Sequence, residues 1–341
     1  MTAKRKVILA IDTSNYTTSA ACSTPDRGHV SGGFLIKQEK QLLTVRAGER
    51  GLRQSDALFA HTCNLPPIIE RLLSTLSEDD EIVAVGCSTT PRRMEGSYMP
   101  CFLAGENVAR GIAASLRDPY YTFSQQEGHI AAAAYSATEP TDENNQDDTL
   151  TRAPFLAFHV SGGTTDLLHV TPSENRYEIE MLGTSLDLHA GQAIDRVGVM
   201  LGLSFPCGPA LEALAKTQTE KVPSPKICVR GCDCNLSGLE NLAQKMHREG
   251  ADDAAIAAFV FAFLEKTLTK MTENALALHP GHPVLYAGGV MSNTLMRDAL
   301  SKFCRSHGSR AYFAAPVFSS DNAVGTSLLA CRAYLAEQKE S

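Results

Sequence analysis

The chain lacks an excess of positive charge. It carries 31 lysines and arginines against 38 aspartates and glutamates, a formal net charge of −7 over 341 residues. This balance argues against a protein whose surface is covered in positive charge. Any contact with nucleic acid therefore needs a local basic patch or a partner subunit. Arginines that form such a patch in the sequence are most often solvated surface residues or partners in local ion pairs. The candidates for a basic patch are Arg46, Arg50, Arg53, Arg92 and Arg93.

Long apolar runs and a compact cysteine framework are also missing. The apolar run at residues 7–11 follows a basic N-terminus but is too short for a secretory signal or a membrane-spanning helix. The ten cysteines are scattered through a chain much longer than disulfide-stapled secreted domains. We therefore expect a cytoplasmic protein without membrane contact and with reduced cysteines. Cys228, Cys232 and Cys234 have a spacing that can bind a soft metal, but no second pair nearby completes four ligands.

Two similar turns stand about half a chain apart. An apolar strand ends in Asp12 and returns after a hydroxyl-rich turn that contains Ser14, and a second strand returns after the glycine turn at residues 161–164. An acid in the first turn can position a magnesium-bound water, and N–H groups and hydroxyls in both turns can face phosphates. A single glycine pair favours an ordinary hairpin, but two copies of the pattern indicate a duplicated unit.

A duplicated unit in a chain of this length predicts about two domains. The fold class that fits is α/β: a two-lobed actin-like ATPase or sugar-kinase-like fold made of duplicated RNase H-like lobes, with nucleotide in the interlobe cleft. We predict lobe I over residues 1–118 plus a C-terminal helix at 322–341, and lobe II over 119–321. Residues 137–153 contain almost nothing to bury, which predicts a mobile loop.

Periodicity supports this α/β interpretation. Residues 82–87 form a continuous apolar run typical of a buried central strand, and they lead into a polar loop at 88–100. Open α/β sheets place function in loops of this kind. Residues 55–76 have the apolar spacing of a helix, which Pro66 and Pro67 are expected to kink or split.

Seven blocks of residues occur in a characteristic order. They are Ile11-Asp12-Thr13-Ser14, Val160-Ser161-Gly162-Gly163, Leu186-Asp187 through Ala190-Gly191-Gln192-Ala193-Ile194-Asp195-Arg196, Pro206-Cys207-Gly208-Pro209, Leu236-Ser237-Gly238-Leu239, Ala287-Gly288-Gly289-Val290-Met291-Ser292-Asn293 and Ser320-Asp321-Asn322-Ala323. In this order they resemble the TsaD family over nearly the whole chain. That family transfers a threonylcarbamoyl group to adenosine at tRNA position 37, and older descriptions called it a glycoprotein endopeptidase (peptidase M22).

The resemblance implies roles for individual residues. ATP or a threonylcarbamoyl-adenylate would contact Val160, Ser161, Gly162, Gly163 and Thr164, while Asp195, Gly208 and Asn293 would hold ribose or adenine. One divalent metal would be bound by His129, Asp321 and Gln125. Asp12 and Ser14 are the catalytic candidates, Asp12 through an electrostatic or water-positioning role. The resemblance also implies a homodimer, or a heterodimer with a paralogue, through the helix at 55–76.

Three departures from the family pattern concern the metal and the acceptor. Gln125 stands where the family has the first of two histidines, and Thr164 stands where a histidine follows the glycine turn. Loop 88–100 is arginine-rich instead of glycine-rich. A glutamine oxygen suits magnesium or manganese better than zinc or iron.

These departures leave alternatives to a tRNA threonylcarbamoyl transferase. His129 can merely pack and Asp321 can merely cap a helix. A divergent TsaD paralogue with a degenerate metal site could act as a nucleotide-binding scaffold or on another acceptor. A small-molecule kinase of the same fold matches the blocks less well. The metalloprotease class is excluded, because the chain has no His-Glu-x-x-His motif.

Overall fold

A computed structural model describes residues 4–14, 16–44, 52–138, 149–319 and 321–340. The strands are β1 (Arg5–Asp12), β2 (Thr17–Pro25), β3 (Gly33–Leu42), β4 (Asp80–Thr90), β5 (Tyr120–Ser124), β6 (Phe155–Val160), β7 (Thr165–Pro172), β8 (Tyr177–Thr184), β9 (Cys228–Arg230), β10 (Asp233–Asn235), β11 (Val284–Ala287) and β12 (Ala311–Phe313). The helices are α1 (Gln54–Leu73), α2 (Phe102–Leu116), α3 (Gln125–Thr138), α4 (Thr149–Arg152), α5 (Ala190–Met200), α6 (Gly208–Ala215), α7 (Ser237–Arg248), α8 (Asp253–Leu278), α9 (Thr294–Ser306) and α10 (Val324–Glu340).

The chain forms two compact units. The first unit comprises Met1–Arg152, Pro172–Glu178 and Val317–Ser341, and the second comprises Ala153–Thr171 and Ile179–Pro316. The predicted boundary fell after residue 118. The structure instead keeps β5 and α3 in the first unit, because β5 pairs in parallel with β4 and α3 packs against α10.

The first unit is built on a five-stranded sheet in the order β3-β2-β1-β4-β5. The β1–β2 pair is antiparallel, as the first predicted hairpin requires, and β4 lies parallel to β1. Alternate residues of β1, including Leu9 and Ile11, pack with Leu65 and Ile68 of α1 in a buried core. Helix α10 contacts β1, β2 and β4 as well. Burial on both faces explains why β1 and β4 read as continuous apolar runs.

The second unit repeats this topology. Its sheet has the order β12-β11-β6-β7-β8, with an antiparallel β6–β7 pair and β11 parallel to β6. Number the five strands of each sheet in chain order, so that β6, β7, β8, β11 and β12 become the first to fifth strands of the second sheet. Both sheets then have the strand order 3-2-1-4-5. The long helix α8 supplies much of the core through side chains such as Phe259, Phe263 and Leu264. The predicted duplication of an α/β lobe is confirmed.

Local predictions differ from the structure at several points. Residues 54–73 form one helix with Pro66 and Pro67 inside it, so the prolines do not split the element. Of the predicted mobile loop at 137–153, residues 139–148 lie outside the described residues, while 149–152 form α4. No helix within the described ranges is long and apolar enough to span a membrane. All ten cysteines carry free thiols, and Cys232 and Cys234 belong to the second unit's core.

Candidate functional site

Asp12 is a buried carboxylate at the end of β1. Its side chain accepts hydrogen bonds from the Ser14 hydroxyl at 2.8 Å, from the Ser14 backbone N–H at 3.2 Å, and from the Ser88 hydroxyl at the end of β4. Burial, helped by the charge of Asp321, raises the pKa of Asp12 to about 6 against the opposing effects of these hydroxyls and His129. The first unit therefore holds a preorganised acid where its two central parallel strands end.

A close approach of two helices brings the other candidates of the first unit together. A Cβ atom on Gly325 of α10 would collide with the backbone carbonyl of Gly128 in α3, and would lie 2.8 Å from the backbone nitrogen of Ala132. Only a residue without Cβ fits at this crossing. The contact aligns His129, next to Gly128, with Asp321, which lies just before α10.

His129, Gln125 and Asp321 share one carboxylate oxygen. The Nε2 atom of His129 donates to Asp321 Oδ1 at 3.1 Å, and the Gln125 amide donates to the same oxygen at 3.0 Å. Burial by itself lowers the pKa of His129, but the hydrogen bond and charge of Asp321, together with the charge of Asp12, outweigh it and raise that pKa. The structure thus brings together the three residues for which the sequence predicted metal binding.

At the start of α10, Asn322 caps the helix, while the neighbouring Asp321 contacts the other proposed metal ligands. Asn322 Oδ1 accepts the Val324 backbone N–H at 3.0 Å, which satisfies a donor of the first helical turn. Asp321 directs its carboxylate to His129 and Gln125 instead. Helix capping alone therefore does not account for Asp321.

The distances from Asp321 to His129 and to Gln125 match those between neighbouring ligands of one small cation. Ligand atoms at about 2.0–2.1 Å from an octahedral ion lie about 3 Å from one another, close to the distances from Asp321 to its two partners. Turning the Gln125 amide would offer its oxygen in place of its nitrogen. Asp12 does not complete a tight group of imidazole, thiol and carboxylate ligands here: within the described residues, the only trio with atoms inside 4.8 Å lies in the second unit.

The arginine-rich loop 88–100 is attached to the same helix. Arg93 lies 3.7 Å from the buried carboxylate of Glu127 in α3, and the Gln126 backbone N–H donates to the Pro91 carbonyl at 3.1 Å. The Arg93 side chain is 60% exposed. The loop therefore presents a cation to solvent beside the helical turn that carries the Gln125–His129 pair.

In the second unit the β6–β7 turn is pressed against α5. The Ser161 N–H donates to the Thr164 carbonyl at 2.8 Å, and the Gly191 N–H donates to the Ser161 carbonyl at 3.1 Å. A Cβ on Gly191 would lie 2.7 Å from backbone atoms of Ser161 and Gly162. Glycine at 191 thus permits the contact that positions the Ser161–Thr164 turn.

A cavity of about 330 Å³ lies beside this turn. The sequence predicted four of its lining residues as nucleotide-binding: Gly162, Asp195, Gly208 and Asn293. The other predicted residues of the turn do not line it: Val160 is buried at the end of β6, and Ser161, Gly163 and Thr164 flank Gly162. The volume is within the usual range for small-molecule sites.

Asn293 is the best-defined polar group of this cavity. The residue is buried, and its Oδ1 accepts the Met296 backbone N–H at 3.0 Å as the cap of α9. Its Nδ2 is buried without a hydrogen-bond partner. Asp195 accepts the Cys207 N–H at 2.8 Å, while burial raises its pKa. A donor and an acceptor therefore remain for a ligand in the cavity.

Several lining residues of the cavity were not predicted from the sequence. Glu212 accepts the Thr294 hydroxyl at 2.7 Å and Lys216 at 2.7 Å, which fixes its carboxylate at the cavity wall. Phe261 comes from the first half of α8, where a phenylalanine is expected to pack in the core. Glu212 follows the Pro206–Pro209 block by three residues, and that helical spacing was the available signal.

Two of the sequence blocks hold each other in place. Asp187 accepts the Leu236 N–H at 2.7 Å and the Ser237 hydroxyl at 2.6 Å. Burial alone would raise the pKa of Asp187, but these hydrogen bonds lower it to about 2. Asp187 and Ser237 therefore join α7 to the segment before α5, which is an architectural role.

Comparisons with known proteins agree with this picture. The profile of the TsaD family, described as tRNA N6-adenosine threonylcarbamoyltransferase, matches residues 42–327. The enzyme of that name from Gluconobacter oxydans is 30% identical over 338 residues, covering 94% of this chain and 86% of the relative. An enzyme of the same name from Thermus thermophilus is 33% identical over 280 residues, covering 80% of this chain and 78% of the relative.

Solved structures show the same fold at low identity. HypF from T. kodakarensis superposes with a TM-score of 0.60 at 15% identity, over 98% of this chain and 49% of HypF. The predicted actin-like ATPase type of α/β fold is confirmed. With the family profile spanning most of the chain, including every residue that lines the cavity, the chain belongs to the TsaD family of tRNA N6-adenosine threonylcarbamoyltransferases.

Proposed function

We propose that this chain transfers a threonylcarbamoyl group from an adenylate donor to the N6 amine of an adenosine in tRNA. The observation that carries the proposal is the family match over residues 42–327, which includes His129, Asp321 and the whole cavity lining. The reaction forms a bond between the amine nitrogen and the carbamate carbonyl, releases AMP and frees one amine proton. Nucleotide and a divalent metal are the cofactors that the family and fold suggest.

The cavity of the second unit is our proposed site for the adenosine part of the donor. The unpartnered Asn293 Nδ2 would donate to the base or ribose, and Asp195 would accept from a ribose hydroxyl. Gly162, in the β6–β7 turn, lets the backbone approach phosphate closely. Because Asn293 and Asp195 are already fixed by their own hydrogen bonds, they would bind without reordering.

The His129, Asp321 and Gln125 group is our proposed metal site. A bound divalent cation would supply a Lewis acid for the carbamate carbonyl. Two oxygen donors and one imidazole favour magnesium or manganese over zinc or iron. Asp12 lies in the same unit, and Ser14 and Ser88 hold its carboxylate in one orientation, which suits it to position a water or the attacking amine.

The tRNA acceptor needs cations on an acidic chain. Arg53, Arg92 and Arg93 are exposed, whereas the candidates Arg46 and Arg50 lie outside the described residues. A partner subunit would extend this surface, and we propose that α1 mediates such pairing, since its Phe59 side chain is 72% exposed. Mass in solution, alone and mixed with a paralogue, tests the pairing, and a strict monomer under both conditions contradicts it.

A second candidate is a paralogue that binds nucleotide but has left the transfer chemistry. One observation favours it: the Gln125 amide already donates to Asp321, so the carboxylate is satisfied without a metal. Gln125→His separates the two candidates. The transferase predicts metal in the wild type, whereas the paralogue predicts metal only in Gln125→His.

The test of the proposed function is product formation on unmodified tRNA. Purified protein, with and without partner subunit, is given threonylcarbamoyl-adenylate and magnesium or manganese, and the digested tRNA is examined by mass spectrometry for threonylcarbamoyladenosine. Wild type is expected to form it and Asp321→Asn is not. A matched control is Asp298→Asn, which changes a carboxylate of α9 outside both candidate sites. Equal failure of wild type and Asp321→Asn under all conditions would contradict the proposal.

A further inference from the structure

Three histidines of the second unit lie close together outside the nucleotide cavity. His169 belongs to β7, His279 is the C-cap residue of α8, and His282 lies just before β11. One ring nitrogen of each lies within 4.8 Å of the other two. The rings of His169 and His279 are stacked with centroids 4.2 Å apart, and the His282 ring lies 5.3 Å from His279 and 5.5 Å from His169.

A tight turn fixes the separation of His279 and His282. The His279 N–H donates to the Ala275 carbonyl at 2.8 Å at the end of α8, and the His282 N–H donates back to the His279 carbonyl at 3.3 Å. Pro280 occupies the second position of this turn, and Gly281 occupies the third with φ of +75°. Proline followed by a glycine with positive φ is the signature of a type II turn. The two imidazoles are therefore anchored on a rigid backbone.

The sheet register brings His169 to the same place. His169 pairs with Leu156 of β6, and Leu156 pairs with Val284 of β11. The pairing extends back along the chain, since the Leu156 N–H donates to the Pro283 carbonyl at 2.9 Å. Side chains two residues apart on a strand share a face, so His282 lies on the face that carries Val284 and His169.

The hydrogen bonding of His169 and His282 leaves a ring nitrogen of each available to bind a cation. His169 Nε2 is buried without a hydrogen-bond partner, a costly state for a polar atom. His282 Nδ1 faces the Pro280 carbonyl at 3.5 Å, which leaves Nε2 for another partner and resembles the outer hydrogen bond of metal-bound histidines. Burial, with the neighbouring His279 and His282, lowers the pKa of His169.

We propose that His169, His279 and His282 bind one divalent transition-metal ion of the zinc type, with a fourth position open to water. Imidazole suits zinc, copper and nickel, whereas magnesium prefers oxygen ligands, so this site and the His129–Asp321 site select different ions. Nitrogens at about 2.0–2.1 Å from a tetrahedral ion lie about 3.4 Å apart. The three nitrogens already lie within 4.8 Å of one another, so binding requires only a side-chain rotation that opens the His169–His279 stack.

The alternative is that the histidines only pack against one another. Stacked imidazoles bury apolar ring surface, and they need no metal to do so. The two possibilities differ in one measurable respect, because packing alone produces no saturable zinc binding that depends on all three side chains.

The test uses the full chain, stripped with a chelator, in an Asp321→Asn background that removes the site of the first unit. Zinc is titrated by calorimetry into this protein and into versions carrying His279→Gln or His282→Gln. The parent is expected to bind one equivalent, and each substitution to weaken zinc binding roughly 100-fold, which is one ligand's share of the affinity of a four-ligand zinc site. His247→Gln, at an exposed histidine of α7, is the matched control and is expected to bind like the parent.

Two further readouts separate loss of the site from loss of the fold. Cobalt(II) is expected to give the visible absorption of a tetrahedral site in the parent but not in either variant. Adenosine affinity and the metal-free melting temperature are expected to match in all proteins. Zinc binding in a His279→Gln/His282→Gln double variant with the parent's affinity, or no zinc binding by the parent, would overturn the proposal. Either result leaves the proposed transferase function untouched, because the two sites share no residue.

Discussion

The two units have one strand order and two different kinds of site. In each, a first hairpin continues into a central parallel pair, but the last rung of the hairpin pairs Asp12 with Ser19 in the first unit and Val160 with Thr165 in the second. The first unit thus ends its leading strand in a buried acid. The second ends it in an apolar residue, which a serine and two glycines follow.

This difference determines what each scaffold can hold. In the first unit Asp12 is held by the hydroxyls of Ser14 and Ser88, and Asp321 is held by His129 and Gln125, so the candidate residues are charged and already hydrogen-bonded. In the second unit the glycines leave space, and the cavity has few polar groups, of which Asn293 keeps an unpartnered donor. On the proposed assignment of sites, the duplicated fold divides cation binding and nucleoside binding between its two units through different residues at the strand ends.

The largest effect is expected from Asp12→Asn. This substitution removes the carboxylate at the end of β1, where the equivalent strand of the second unit ends in an apolar residue. Transferase activity is expected to fall by about 100-fold or more, the usual scale for loss of a preorganised electrostatic group. A steady-state assay of product formation on unmodified tRNA measures this loss. Asp298→Asn should retain full activity, and an Asp12→Asn enzyme within about threefold of wild type would remove Asp12 from the chemistry.

The same substitution is expected to change the pH dependence of stability. Burial raises the pKa of Asp12 from 3.8 to about 6 in the folded state. Its contribution to stability is therefore complete below about pH 4 and is lost as the pH rises through 6, a decline of roughly 3 kcal/mol. Urea unfolding of metal-free protein should find this decline in wild type and a smaller one in Asp12→Asn. Parallel pH profiles would contradict it.

The next largest effect is expected from Gly325→Ala, which forces α3 and α10 apart. The new methyl would meet backbone atoms of Gly128 and Ala132, which cannot rotate away. We expect destabilisation of about 3 kcal/mol together with loss of metal binding at the proposed His129–Asp321 site. Gly111→Ala is the control, since its Cβ meets nothing within 4 Å in the middle of α2. Its stability should stay equal or rise.

Gly191→Ala is the counterpart in the second unit and is expected to have a smaller effect. Its methyl would press on the Ser161–Gly162 turn, which can shift because Gly162 and Gly163 are exposed. We expect about 2 kcal/mol of destabilisation and a roughly tenfold loss of adenosine affinity by calorimetry, with metal binding unchanged. Gly238→Ala, with open space around its Cβ, should change neither property.

The smallest effect is expected from Arg93→Gln at the exposed edge of the first unit. Arg93 would contribute one phosphate contact, so tRNA affinity should fall severalfold and the slope of log affinity against log salt should decrease by about one. Filter binding over a range of salt concentrations measures both. An unchanged salt slope would show that tRNA binds elsewhere.

Much of the fold was predictable because its signals are local. Short stretches of sequence suffice to recognise the apolar runs of β1, β4 and β6 and the glycine turn after β6. The repetition of this strand-and-turn pattern predicted the duplication. The boundary at 118 failed because β5 belongs to the first sheet through pairing with β4, a contact that spacing alone does not encode.

The site was predictable only in part for a similar reason. His129 and Asp321 came from a family resemblance, and the physical cause of their meeting, the Gly128–Gly325 contact, joins residues far apart in the chain, beyond the reach of helical spacing. Glu212 and Phe261 read as ordinary helix residues until the cavity shows what they face. The cluster of His169, His279 and His282 likewise depends on sheet register, so nothing in the linear sequence singled it out.

The central claim is that the first unit binds the metal and the second unit binds the nucleoside. The most direct test measures the binding of both ligands to variants of each unit. Manganese and adenosine are each titrated into wild type, Asp321→Asn and Asn293→Asp. Adenosine is used because it has no phosphates through which a bound metal could hold it. Asn293→Asp is used because it keeps the oxygen that caps α9. We predict that Asp321→Asn loses manganese and keeps adenosine, while Asn293→Asp loses adenosine affinity by about tenfold or more and keeps manganese. If both variants lose both ligands, or neither loses either, the assignment of one ligand to each unit is wrong.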